Sequence, residues 1–146
     1  VTKQSLIYLI GSLRNRDEML RIGNELRSMG RFDVFDDWLA AGPTADDEWK
    51  VYEEGRGRTY KDALSGRAAK HVFDFDKHHL DRANVGVLVA PAGKSGHMEL
   101  GYMIGRGKPG LVLMDRPDRW DVMYQFADAV TFSLDELKDA LLGLDT

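Results

Sequence analysis

Cysteine is absent from the 146 residues. That rules out a disulfide framework and a thiolate metal site. Concentrated charge of one sign is missing as well. The 20 Lys and Arg and 24 Asp and Glu give a net charge of −4, and no block of either sign stands out. A nucleic-acid polymer or an anionic membrane is therefore not the expected partner. No apolar run approaches the ~20 residues that a membrane span needs. The opening VTKQSLIYLIGS lacks the charged region, apolar run and small-residue cleavage pattern of a secretory leader. A cytoplasmic protein is the expectation. Metal-ligand spacing is lacking too. His78 and His79 are adjacent and diverge by roughly 100° on a helix. His71 and His97 have no ligand-spaced partner, and there is no H-E-x-x-H. Nor does any histidine accompany a G-x-S-x-G serine.

Two phosphate-loop motifs also fail. GRGKPG is a literal G-x-G-x-x-G at Gly105, Gly107 and Gly110, but a helical pattern precedes it and an apolar strand follows. The dinucleotide fingerprint requires the reverse order, so this is a helix stop and turn. As a Walker A loop it would need Ser or Thr where Pro109 stands and glycine where Tyr102 stands.

What remains is ordinary globular composition, 43% hydrophobic and 30% charged, enough for a single domain over residues 1–146. SLIYLI (Ser5–Ile10) reads as a buried strand ending in a turn. A helix follows, with Asn15 as its cap, Met19, Ile22, Leu26 and Met29 on one face and Gly30 as its stop. FDVF (Phe32–Phe35) is a second strand. Residues 36–66 are polar, contain Pro43, and suggest helices near Asp46–Glu54 and Arg58–Leu64. A connection this long in a compact domain reads as a lid or cover. Ala68–Asn84 is helical by pattern, and VGVLVA (Val85–Ala90) has the continuous apolarity of a central parallel strand. Then come a helix from His97, a strand from Gly110, a short strand from Ala129, and a closing helix with Ser133 and Glu136 as a capping box. This alternation predicts a doubly wound α/β three-layer sandwich, Rossmann- or flavodoxin-like, on a mostly parallel sheet of about five strands.

Ligands in such a fold bind beyond the carboxyl ends of the strands. Three stretches fall there: GSLRN (Gly11, Ser12, Arg14, Asn15), DDW (Asp37, Trp38) and PAGKSGHME (Gly93, Ser95, Met98, Glu99). Glu99 follows a glycine-containing loop, in the expected first turn of a helix, where the dipole favours an ionised carboxylate. Asp76 lies on the preceding helix and Tyr8 in the first strand, from which a phenol can reach a carboxylate at the sheet edge. Each also fits an ordinary role as a helix-start acid, a solvated helix residue or a core tyrosine.

IYLIGSLRN, DFDKHHLDRANVGVLVAP and SGHMELGYMIGRGKPG together resemble the nucleoside 2-deoxyribosyltransferase family, which includes relatives that hydrolyse nucleoside 5′-monophosphates. The match covers the first strand and its loop plus residues 74–114. It implies Glu99 as a nucleophile, Asp76 as the residue assisting the leaving base, and Tyr8 as the residue orienting the glutamate. It departs at Asn84, where the family usually has aspartate. In many transferase members a neighbouring subunit completes the pocket from residues before the last strand. RWDVMYQFAD occupies that place here, offering Asp121 and Tyr124.

The chemistry fits the residue types. Breaking an N-glycosidic bond develops positive charge on the sugar, which a carboxylate stabilises or captures covalently. A second acid assists the base. No metal or organic cofactor is expected. The resemblance implies deoxyribosyl transfer between bases by a homo-oligomer, a dimer or multiple of dimers. The alternative is a 5′-monophosphate N-hydrolase, because GSLR resembles the loop with which the hydrolases meet the phosphate. Here Ser12 and Arg14, supported by Lys94 and Ser95, would make that contact. Outside this class stand a non-catalytic nucleotide-binding module and an assembly protein using Trp38, Trp49 and Trp120.

Overall fold

The computed structural model describes residues 4–41, 44–115, 117 and 120–144, apart from the side chain of Asp46. Pro43, in the expected cover, and Arg119, in the stretch before the last strand, lie outside the described residues. Five strands, β1 (Ser5–Ile10), β2 (Phe32–Phe35), β3 (Val85–Val89), β4 (Gly110–Leu113) and β5 (Ala129–Thr131), form one sheet in the order β2-β1-β3-β4-β5. Every neighbouring pair is parallel. Both faces are covered. Helices α1 (Arg16–Ser28) and α6 (Leu134–Leu142) pack on Ile7, Leu9, Val87 and Leu111, while α4 (Arg67–Arg82) and α5 (Lys94–Gly105) pack on Leu6, Tyr8, Ile10 and Leu88. Alternate residues of one strand thus enter different layers, which is why the strands are continuous apolar runs. The expected three-layer α/β fold is what forms, with an all-parallel sheet. No helix among the described residues is long and apolar enough to cross a membrane.

Met19, Ile22 and Leu26 of α1 are fully buried, each contributing roughly 1.5–3 kcal/mol. Gly30 adopts φ +77 and ends the helix. Its start differs from expectation. Asn15 makes no side-chain cap; instead Ser12 Oγ accepts the Arg14 N–H at 3.2 Å and starts a short 3₁₀ turn that leads into α1. The hydroxyl one turn earlier satisfies the free N–H first. At α6, Ser133 Oγ accepts the Glu136 N–H at 3.1 Å, and the Glu136 carboxylate accepts the N–H of Phe132, one residue before the cap.

Helices α2 (Ala45–Gly55) and α3 (Tyr60–Leu64) pack against each other and against α4. The helices bearing Asp76 and Glu99 are tied together at their far ends. Lys108 donates to the carbonyls of Leu80 and Asp81 at 3.0 and 2.6 Å. The Asp81 carboxylate accepts from Lys77 and Tyr102, and those hydrogen bonds hold its pKa down to about 2. Asn84 contributes to the sheet: its side-chain oxygen accepts the Leu6 N–H at 2.7 Å, an acceptor role that aspartate would fill equally.

Gly23 shows how closely α1 approaches β2. A Cβ there would lie 2.4 Å from Asp36 Oδ2, and Asp36 is buried and paired with Arg27. Gly23→Ala therefore overpacks a buried ion pair and should destabilise the fold by about 1–3 kcal/mol, read as a lower urea midpoint at unchanged slope. An unchanged midpoint would show that α1 can move away freely.

Candidate active site

The parallel order places the switch point between β1 and β3, where the strand order reverses. Tyr8 sits in this zone, in register with Phe35 on one side and Gly86 on the other. Its ring is buried and points into the α4/α5 layer. From α5, Glu99 reaches back so that the Tyr8 phenol donates to Glu99 Oε2 at 2.9 Å. Burial, then the charges of Glu99 and Asp76, drive the Tyr8 pKa far above that of a free phenol. The phenol therefore stays protonated and acts as a fixed donor to a carboxylate. Asp76, half-buried on α4, is close enough to contribute to that field. Three groups that the sequence separates by up to 91 residues are thus brought together.

Glu99 does not lie in the first helical turn. Helix α5 begins at Lys94, with Gly93 as its N-cap, and no acidic residue occupies that turn. Gly96 is a helical residue, not a loop one: its missing side chain lets α5 close on Ile10, whose Cγ2 would stand 3.0 Å from a Cβ. The helix terminus is thus one turn away from the carboxylate. The Tyr8 phenol is a donor to it.

The loop after β1 borders the same zone. Gly11 leaves room for the buried Met19 side chain, whose Cε would stand 2.5 Å from a Cβ there. Ser12 and Asn15 are half-buried, and Arg14 is exposed. The guanidinium of Arg14 makes no ion pair among the described residues. Trp38 folds over the end of β1, its indole N–H donating to the Leu9 carbonyl at 2.8 Å, and Asp37 beside it is exposed. Ser95 and Met98 are exposed on the first turns of α5.

Asp121 and Tyr124 are placed elsewhere. They line a groove of about 540 Å³ with His97, Gly101, Ile104 and Phe126. At about 100° per residue, those α5 positions face roughly opposite to Glu99. His97 bridges the two segments: its Nδ1 lies 2.8 Å from the Gly93 carbonyl and its Nε2 2.9 Å from the Tyr124 hydroxyl. A carbonyl can only accept, so Nδ1 carries a proton.

One feature of the site escapes motif reading. Phe35 packs on Tyr8 at 5.3 Å between ring centroids, and His79 stacks on Phe35 at 3.9 Å, with Phe75 at its edge. Burial, with the nearby charges of Arg82 and His78, lowers the His79 pKa, so the ring is neutral and serves as an aromatic flank beside Asp76.

No family model and no curated protein matches the sequence. Among solved structures, the chain is similar to the 2-deoxyribosyltransferase of the psychrotolerant bacterium Bacillus psychrosaccharolyticus, with TM-score 0.61, 15% identity, and coverage of 92% of this chain and 91% of that one. It is also similar to the CMP N-glycosidase BcmB of Clostridium botulinum, with TM-score 0.51, 11% identity, and coverage of 94% and 98%. The chain shares their fold. The first of the two carries the activity name of the family that the sequence resembles.

Proposed function

We propose that the chain cleaves the N-glycosidic bond of (deoxy)nucleosides or their 5′-monophosphates and passes the deoxyribosyl group to another base. The observation that carries this reading is the 2.9 Å hydrogen bond from the buried Tyr8 phenol to Glu99, with Asp76 in the same electrostatic neighbourhood. The phenol, held protonated by its burial, donates to Glu99 Oε2 and orients the carboxylate. Glu99 attacks the anomeric carbon as the bond to the base nitrogen breaks. Asp76 delivers the proton that the departing base takes up. A second base then attacks the anomeric carbon of the glycosyl ester, gives its proton to Asp76 and frees Glu99. Incubation with a panel of deoxynucleosides and their monophosphates, with and without an acceptor base, tests this directly. Free base and exchanged nucleoside are expected, and a shift in melting temperature without base release would leave only a binding module.

The loop after β1 favours a second reading, hydrolysis of a nucleoside 5′-monophosphate. Arg14 is exposed with no ion pair among the described residues, and Ser12 keeps its hydroxyl proton while its oxygen caps the turn. In that case water replaces the second base. A charge-assisted hydrogen bond is worth roughly 1.5–3 kcal/mol. Arg14→Ala should then lower nucleotide turnover by about tenfold to a hundredfold and spare the matching nucleoside. Equal effects on both substrates, with exchange product formed, favour the transferase.

A role for Asp121 and Tyr124 in substrate binding calls for a second copy of the chain, since both face away from their own Glu99. Met123 and Phe126 line that groove and are exposed, and Trp120, next to Asp121 in the chain, is exposed by 94%; such apolar surface suits a closed symmetric interface. Light scattering at assay concentration should show a dimer or a multiple of dimers. A fully active monomer would remove Asp121 and Tyr124 from the site.

A further inference from the structure

Between α2 and the start of α4 lies an open cavity of about 870 Å³, and neither Tyr8, Asp76 nor Glu99 lines it. Arg56, Arg58, Arg67 and Lys70 line it, with His71 beside them, against the single carboxylate of Glu53. This concentration of positive charge stands in a chain of net charge −4. Its base is built with care. Glu53 is only 2% exposed and pairs with Arg56 at 3.2 Å and Arg58 at 3.1 Å. Arg58 also donates to the Asp62 carbonyl at 2.9 Å. Gly66 admits this knot, since a Cβ there would stand 3.2 Å from Glu53 Oε2.

Glu53 therefore offsets one of the two guanidinium charges at the floor and leaves the rim positive. Arg67 makes no hydrogen bond or ion pair with its side chain among the described residues. Lys70 pairs with Asp74 at 2.8 Å, but with both partners largely exposed and in the less favourable order along a helix. Both cations stand in the first turn of α4, where the helix dipole works against them. Placing them there costs helix stability, which for Arg67 no ion pair among the described residues offsets.

We infer that this cavity is an anion site for the phosphoryl group of a small molecule, separate from the catalytic cleft. Guanidinium forks match phosphate oxygens in pairs, and the volume lies within the range of small-ligand pockets. His71 precedes Asp76 by five residues, about 7.5 Å along α4, so an occupant would bear on the helix that carries Asp76. The inference does not depend on the N-glycosyl reading.

Calorimetric titration of the full chain with inorganic phosphate, pyrophosphate and a deoxynucleoside 5′-monophosphate tests it. Wild type should bind pyrophosphate saturably, and more weakly as sodium chloride rises. The Arg67→Ala/Lys70→Ala double variant should lose at least about tenfold in affinity, whereas Arg14→Ala should keep it. The single variant Arg67→Gln, which preserves bulk and loses charge, should fall between them, and none of the three variants should melt below wild type. The monophosphate also enters the catalytic cleft, so only the part of its binding that the double variant loses counts here: where that part is tighter than pyrophosphate binding the site takes a phosphate ester, and the reverse assigns it to the free anion. Absence of saturable binding overturns the inference. So does unchanged affinity in the double variant, or loss confined to Arg14→Ala, which would assign the anion to the loop after β1. The readout is binding, so it stands or falls apart from base release.

Discussion

Glu99→Gln should abolish base release, by at least about a thousandfold, while the protein stays folded. The amide keeps the shape of the side chain and an oxygen that can accept from Tyr8, but it cannot form a glycosyl ester. Loss of a nucleophile is among the largest single-residue effects in enzymes, because the residues that act as a unit fail together. Alanine is the poorer probe here. Tyr8 is 2% exposed, and removing Glu99 would leave its phenol buried without the acceptor the structure gives it, a cost of about 1–3 kcal/mol. The glutamine variant therefore separates chemistry from stability. Wild type quenched in acid during turnover should carry a deoxyribosyl adduct on Glu99, detected as a mass increment on the peptide that spans α5. The glutamine variant should carry none. Full activity in a folded Glu99→Gln protein would end the nucleophile assignment, whatever Tyr8 and Asp76 do.

The strands were legible because a parallel sheet covered on both faces leaves no polar alternation, so SLIYLI and VGVLVA are unbroken apolar runs. The helices that carry the site were legible as periodicity, but their ends were not. Gly93 and Gly96 look alike in sequence, yet one caps α5 and the other packs inside it against Ile10. That ambiguity moved Glu99 from an expected first turn to the second. The proximity of Tyr8, Asp76 and Glu99 follows from topology, which periodicity does not encode; it entered the sequence reading through family resemblance. The stack of Phe35 and His79 was hidden because the two residues lie on different elements. Glu53 was hidden for another reason. In YEEGRGR it reads as one more solvated charge, and only the fold brings Arg56 and Arg58 round to bury it.

Asp76→Asn should slow release of ordinary bases by about 10²–10⁴-fold, the range that a positioned general acid contributes. The size of that loss should depend on the leaving base, and this dependence distinguishes proton delivery from a structural role. A base that departs as an anion needs the proton, so its release should fall the most. A base already cationic in the substrate, such as 7-methylguanine in its deoxynucleoside, departs neutral and needs no proton. Its release from the Asp76→Asn protein should remain within a few fold of wild type. The asparagine is nearly isosteric, and Asp76 is half-buried on α4 between the Phe75 and Lys77 positions, so the helix and its tie to α5 should persist. The Glu99 adduct adds a second readout. With the cationic base, adduct formation should proceed in the Asp76 variant, and only transfer to a neutral acceptor, which must surrender a proton to Asp76, should lag. Equal losses for both kinds of leaving base would mean that Asp76 places the substrate or Glu99, and the proton would have to come from elsewhere.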